Sequence, residues 1–193
     1  MLNSWITRCR LMAAAKRRPC RIIVGSDGTG QKGWISTERG SLNLLKDGDW
    51  KRCFPPGSLD NILAEHVWEH LTPDEGMAAA GICRRYLRPG GRLRAAVPDG
   101  LHPDKAYIEW VKPNGTGPYS DDHKLLYTYR DFKKVFEAAG FRVKLLEYFD
   151  ENGKFHFEDW SPDEGLIKRS KRFDGRNSDG GLHYTSIILD AFK

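Results

Sequence analysis

Two stretches carry the reading of the fold. The first is Ser58-Leu59-Asp60-Asn61-Ile62-Leu63-Ala64-Glu65-His66-Val67-Trp68-Glu69-His70-Leu71-Thr72-Pro73-Asp74-Glu75. The second is Pro89-Gly90-Gly91-Arg92-Leu93-Arg94-Ala95-Ala96-Val97-Pro98-Asp99. Leu59 to Ala64 is a strand candidate. Thr72 suits a helix N-cap, Pro73 the first turn, and Glu75 completes a capping box, so a helix opens here and runs to about Leu87. Pro89-Gly90-Gly91 is a turn, and Arg92 to Val97 alternates into a further strand. Strand, helix and strand in that order make a parallel crossover unit.

The pattern continues outward. Cys20 to Gly25 reads as a first strand that ends in a loop, Ser26-Asp27-Gly28-Thr29-Gly30, and Trp34 to Thr37 as a short second strand. Tyr129 to Ala139 is helical, with Phe132, Val135, Phe136 and Ala139 on one face and Gly140 as its stop. Phe141 to Phe149, and Tyr184 to Ala191 after the turn Ser178-Asp179-Gly180-Gly181, are strands by composition. The alternation predicts an α/β sheet, mostly parallel.

The 193 residues suit one domain with an appendage, and 39% apolar residues can build a core. The longest unbroken apolar run, Leu11 to Ala15, is too short to span a bilayer. Thirty-one bases against 26 acids give +5, yet six of the bases and no acid fall in the first 21 residues. The remainder is nearly neutral, which speaks against a phosphate-tracking surface and so against nucleic acid. Residues 1–19 form a basic helix or flexible arm. The helix would carry Leu2, Trp5, Ile6, Cys9, Met12 and Ala13 at helical spacing. Cys9, Cys20, Cys53 and Cys83 show neither a CxxC pair nor a small disulfide framework, which predicts free thiols and a cytoplasmic protein.

Open parallel sheets bind ligands beyond the carboxyl ends of their strands. Those ends are Gly25-Ser26-Asp27, Glu38, Glu65-His66 and Pro98-Asp99, with polar residues at all four. The glycine loop allows close backbone approach, but GxGxxG and a full crossover helix are both missing before Trp34. Glu38 can accept two hydrogen bonds from a ribose diol or simply be solvated. His66-Val67-Trp68-Glu69-His70 matches the H-x-x-E-H pattern of zinc peptidases, which requires both histidines on one helix face. Thr72-Pro73 instead places a helix start just after it. Among the other histidines, His123 follows Asp121-Asp122, a setting suited to a general base, and His156 stands between Phe155 and Phe157.

With these pieces in order, residues 20–149 resemble the class I S-adenosylmethionine-dependent methyltransferases, in particular the small type 11-like group. The resemblance rests on Ile22-Ile23-Val24-Gly25-Ser26-Asp27-Gly28, on Gly33 through Glu38, and on Ser58-Leu59-Asp60 with Glu65 through Leu71. It extends over Tyr86 through Leu93, Val97-Pro98-Asp99 and Phe136 through Phe141. It implies a Rossmann-like seven-stranded sheet, mostly parallel with one antiparallel strand and helices on both faces. The implied cofactor is S-adenosylmethionine, with its methionine part near Gly25, Ser26, Asp27 and Gly28, ribose on Glu38, adenine near Leu42, Asn43 and Leu44, and the sulfonium close to Glu65 and His66. Two departures stand out: Asp27 replaces a usual glycine, and the first crossover helix is nearly missing. The expected activity is methyl transfer to a small-molecule acceptor, with His66 or His123 as base and Asp99, His123 and His156 facing the substrate. Segments at about 100–128 and 150–181, the latter with Phe155, Phe157 and Trp160, are the expected cap. The competing readings are a non-catalytic module on the same fold and, more remotely, a zinc hydrolase using His66, Glu69 and His70. No metal is otherwise expected.

Overall fold

The chain runs β1 (Arg21–Val24), β2 (Ile35–Thr37), α1 (Asp47–Cys53), β3 (Leu59–Glu65), α2 (Pro73–Tyr86), β4 (Leu87–Pro98), α3 (Lys105–Val111), α4 (Tyr129–Ala138), β5 (Arg142–Phe149), β6 (Phe155–Phe157) and β7 (Ser186–Phe192). It is seen in a computed structural model that describes Ile6, residues 9–13, 15 and 16, and 18–193. The strands form one sheet in the order β2-β1-β3-β4-β7-β5-β6. β2, β1, β3 and β4 are mutually parallel, while β7 is antiparallel to both β4 and β5. β7 is the antiparallel strand expected, and the short edge strand β6, antiparallel to β5, adds a second.

Local signals set the central crossover. Thr72 Oγ1 accepts from Glu75 N–H, and Glu75 Oε2 accepts from Thr72 N–H at 2.9 Å, so the capping box forms. The Pro89-Gly90-Gly91 turn lies inside β4 as an excursion. Leu87 pairs with Leu59 before it, and Arg92 pairs with Asn61 after it.

The two faces of the sheet are covered differently. α1, α2 and α4 bring Trp50, Ala79, Tyr86, Phe132 and Phe136 onto one face, against Ile22, Ile62 and Leu93. On the other face Ile23, Leu63, Ala96 and Ile188 pack under Trp34, Trp160 and Ile167, which stand outside the α-helices. A chain reversal built from single turns, Pro162–Glu164 and Gly175–Asn177, thus does the work of a second helical layer. Residues 9–13 are helical, and the helix is seated through fully buried Leu11, whereas Ile6 and Met12 of the expected face are exposed. Leu2 and Trp5 of that face lie outside the described residues. Among the described residues no helix is long and apolar enough to cross a membrane.

Candidate active site

β1 and β3 end side by side, and the chain turns sharply at both ends. Gly25 has φ +60°, Asp27 φ +44° and Gly28 φ +72° after β1; His66 has φ +55° after β3. A Cβ on Gly25 would stand 2.8 Å from Val67 Cγ2, so glycine is required there both by conformation and by space. Residues 25–34 contain no helix. The loop is instead held by its own bonds: Ser26 N–H donates to Thr37 O at 3.1 Å, and Ser26 Oγ and Gly28 N–H both donate to Glu38 Oε1.

Beyond these strand ends lies a cleft of about 670 Å³, a size suited to a nucleoside-sized ligand. Gly25, Ser26 and Asp27 form one wall, with Glu65 and His66 beside them. The segment after α3 contributes Tyr119 and His123, and the 166–176 segment contributes Lys168, Arg169 and Arg176. Five of the expected site residues are thus brought together with His123, which lies across the cleft. Glu65 Oε1 accepts from Arg169 N–H at 2.7 Å, tying the 166–176 wall to the end of β3. His66 is doubly engaged: Nε2 is 3.0 Å from Ser186 Oγ and Nδ1 is 3.2 Å from Glu69 Oε1. His123 Nδ1 donates to Val111 O at 2.7 Å, and its ring meets that of His70 edge-on with centroids 4.8 Å apart.

Glu69 is the group of greatest electrostatic interest. It is 0% exposed. Burial pushes its carboxyl up, but the positive charge available on His66 outweighs this and holds it below the usual carboxylate range. At the opposite wall Arg176 is gripped by both oxygens of Asp174 and lies 3.4 Å over the Tyr184 ring. Burial pushes the Tyr184 hydroxyl up to about 12, so it stays neutral.

Several expected positions are corrected. Leu42 and Leu44 are buried in the main core, and Asn43 closes a turn through Oδ1, which accepts from Leu45 N–H. Their side chains therefore do not offer an adenine surface on the cleft. Glu38 holds the glycine loop through Oε1 and is not among the residues that line the cleft. His156 sits on β6 at the far sheet edge, where Nε2 pairs with Asp150 at 2.7 Å and the ring stacks on Tyr148; β4, β7 and β5 separate it from β3. Phe155 and Phe157 share that edge, and Trp160 is buried under the sheet, so the 150–181 wall is made by later residues. The zinc-peptidase arrangement is absent: Trp68–His70 is a single 3-10 turn and the backbone reverses at His66, so the two histidines share no helix face.

Asp99 is the sharpest correction. It is fully buried below the cleft, with Oδ1 accepting from Leu101 N–H at 2.9 Å and Oδ2 from Phe149 N–H at 2.7 Å. Burial raises its pKa to about 6, against the pull of those two bonds. The protonated form therefore favours the native state: this contribution is full below the unfolded value near 3.8 and is lost as pH rises through about 6. Between about pH 4.5 and 7, wild type should lose about 2 kcal/mol of stability relative to Asp99→Asn. Urea unfolding of both proteins across that range measures it, and parallel pH profiles would refute the assignment.

The sequence reading missed Lys168, Arg169, Arg176 and Tyr184. The basic run Lys168-Arg169, with Lys171-Arg172 and Arg176 close behind, was the available signal.

No family model matches the sequence, and no curated protein matches it. Solved structures do. An S-adenosylmethionine-dependent methyltransferase from Archaeoglobus fulgidus matches at a TM-score of 0.51 and 17% identity, covering 98% of this chain and 94% of its own. One from Thermotoga maritima, titled a possible histamine N-methyltransferase, matches at 0.52 and 14%, covering 98% and 89%. The CurJ carbon methyltransferase matches at 0.50 and 17%, covering 98% of this chain and 53% of its own. From the parallel β2-β1-β3-β4 half through the antiparallel β7, this chain has the fold of the class I S-adenosylmethionine-dependent methyltransferases.

Proposed function

We propose that the cleft binds S-adenosylmethionine and that the chain transfers its methyl group to a small-molecule acceptor. The observation that carries this reading is the convergence of Gly25, Ser26 and Asp27 with Glu65 and His66 at one cleft, beyond the carboxyl ends of two parallel strands. The residues present suit the cofactor. Positive-φ backbone at Gly25 and Gly28 admits close approach, and the carboxylates of Asp27 and Glu65 suit a ligand bearing ammonium and sulfonium charges. When bound, the cofactor supplies an electrophilic methyl group.

The chain's own residues align the acceptor and exclude water. His66 Nε2 is taken by Ser186 and Nδ1 stands 3.2 Å from Glu69 Oε1, so His66 is turned away from the acceptor. His123, with Nδ1 donating to Val111 O, keeps Nε2 for the acceptor side and is the better proton acceptor of the two. Tyr119 and the 166–176 segment line the same cleft. Its mixed charges, and neighbours titled for nitrogen and for carbon acceptors, leave the acceptor atom open. The four cysteines are free, in keeping with a reducing, cytoplasmic setting.

Calorimetric titration with S-adenosylmethionine and its demethylated product tests the reading. Saturation near a hundred times Kd is expected to add about 2.7 kcal/mol of stability, or roughly 5–10 °C in Tm. The absence of both binding heat and a thermal shift at millimolar ligand would sink it. Binding without transfer to any acceptor in a broad screen would favour the non-catalytic module, toward which Asp27 and the helix-free 25–34 loop lean.

A further inference from the structure

Both carboxylate oxygens of Glu69, and Nδ1 of His70, are buried and make no hydrogen bond among the described residues. The nearby His66 offsets the charge of this carboxylate, but its oxygens still lack the hydrogen-bond partners that buried polar groups ordinarily have, and a bound ion would supply them. His66 Nδ1 lies 3.2 Å from Oε1, but outside hydrogen-bond alignment.

We propose that Glu69, His70 and His123 bind a divalent transition-metal ion at the acceptor end of the cleft. One ligand atom from each lies within 4.8 Å of the others. Ligands about 2.1 Å from a tetrahedral ion stand about 3.4 Å apart, so side-chain movement on the order of 1 Å closes the site. The supporting bonds are those of a ligand set. His123 Nδ1–H donates to Val111 O at 2.7 Å, which orients the ring and leaves Nε2 with its lone pair; with the ion bound, that nitrogen is a ligand and no longer the proton acceptor. Lys124 N–H and Leu125 N–H both donate to Glu69 O, at 2.7 and 3.2 Å, clamping the segment that carries His123 onto the residue that carries the carboxylate. Asp122 Oδ2, 3.2 Å from His70 Nδ1, adds a second acid at the rim.

Two imidazoles and one carboxylate suit zinc, iron(II), cobalt or manganese, and three protein ligands leave a coordination place for another donor. That place borders the cleft, since Glu69, His70 and His123 all line it. An oxygen or nitrogen donor of the acceptor would fill it, a clause that rests on the methyl-transfer reading, whereas metal binding itself does not. His66 is not a ligand here, which separates this set from the H-x-x-E-H pattern.

The test uses the full chain stripped with chelator and titrated with Co2+. One equivalent is expected to give the visible absorption of four- or five-coordinate cobalt, displaceable by zinc. His70→Ala and His123→Ala should each weaken binding at least about 30-fold, by loss of one ligand. His156→Ala, at the far sheet edge, should leave it unchanged. Should a variant unfold, paramagnetically shifted ring-proton signals from two histidines in the wild type serve in its place. Absence of a cobalt spectrum in folded wild type, a spectrum unaltered in folded His123→Ala, or shifted signals from His156 would overturn the site. Calorimetry with S-adenosylmethionine on the stripped protein keeps the readings apart: cofactor binding without cobalt binding removes the metal alone, and the converse removes the methyl-transfer reading alone.

Discussion

Asp190→Ala is expected to lower the unfolding free energy by about 3–5 kcal/mol, the cost of leaving a buried charge without its partner. Arg94 on β4 is 1% exposed and meets Asp190 on β7 with two bonds, Nε to Oδ1 at 2.7 Å and a terminal nitrogen to Oδ2 at 2.8 Å. Arg92 adds a third bond to Oδ2 at 3.1 Å. The remaining Arg94 nitrogen donates to Ser161 O and Gly165 O, and its guanidinium lies 4.8 Å over Trp160. The pair therefore joins the parallel half of the sheet to the antiparallel half. It also pins the irregular segment that covers the second face and leads into the cleft wall. At roughly 2–4 °C per kcal/mol for a chain of this size, Tm should fall by roughly 6–20 °C. Glu164→Ala is the control. Glu164 also pairs with Arg92, at 2.9 Å, but its side chain is 50% exposed, and its loss should cost less than about 1 kcal/mol. Equal and small effects of the two substitutions in urea unfolding would show that Arg94 does not depend on Asp190.

Gly25→Ala should weaken S-adenosylmethionine binding at least about 30-fold, about 2 kcal/mol, because the loop that approaches the cofactor cannot keep its shape. Left-handed φ costs a residue with a side chain about 1–2 kcal/mol. The added carbon also meets Val67 Cγ2 at 2.8 Å, displacing the segment that leads to Glu69. The Gly25→Ala/Val67→Ala double variant removes the collision while retaining the backbone strain, and should recover about tenfold of the lost affinity. Gly28→Ala separates the two effects further. Gly28 has φ +72° but open space where a Cβ would stand, so only the backbone cost of about 1–2 kcal/mol remains. Calorimetry and urea unfolding on all three read affinity and stability separately. A Gly25→Ala protein that binds like wild type would refute this account of the loop.

Much of the fold was legible because its signals are local. Thr72, Pro73 and Glu75 start α2 through bonds that reach three residues, and Gly140 stops the helix before β5 by adopting φ +87°. Alternation and strand composition marked six of the seven strands. Short elements escaped: α1, α3 and β6 are held by distant neighbours, as when the Tyr86 hydroxyl donates to Asp47 Oδ1 on α1 or the Tyr107 hydroxyl of α3 to Thr185 O, and no such partner is visible in a short window of sequence.

The candidate site divides along the same line. Sequence alone determined that polar and glycine residues follow β1 and β3, and a parallel sheet aligns those ends whatever else the chain does. Only the tertiary structure decided which other side chains join them. Asp99 stands at the end of its strand much as Glu65 does, yet the β5 backbone, beyond β7 in the sheet, reaches it and donates to its carboxylate. From sequence His156 and His123 are both expected to face the substrate, but the order β4-β7-β5-β6 carries the first to the outer edge. The clamp of Lys124 and Leu125 on Glu69 brings the second to the cleft. Strand order and long-range backbone pairing assign these places, and neither is written in the spacing of neighbouring residues.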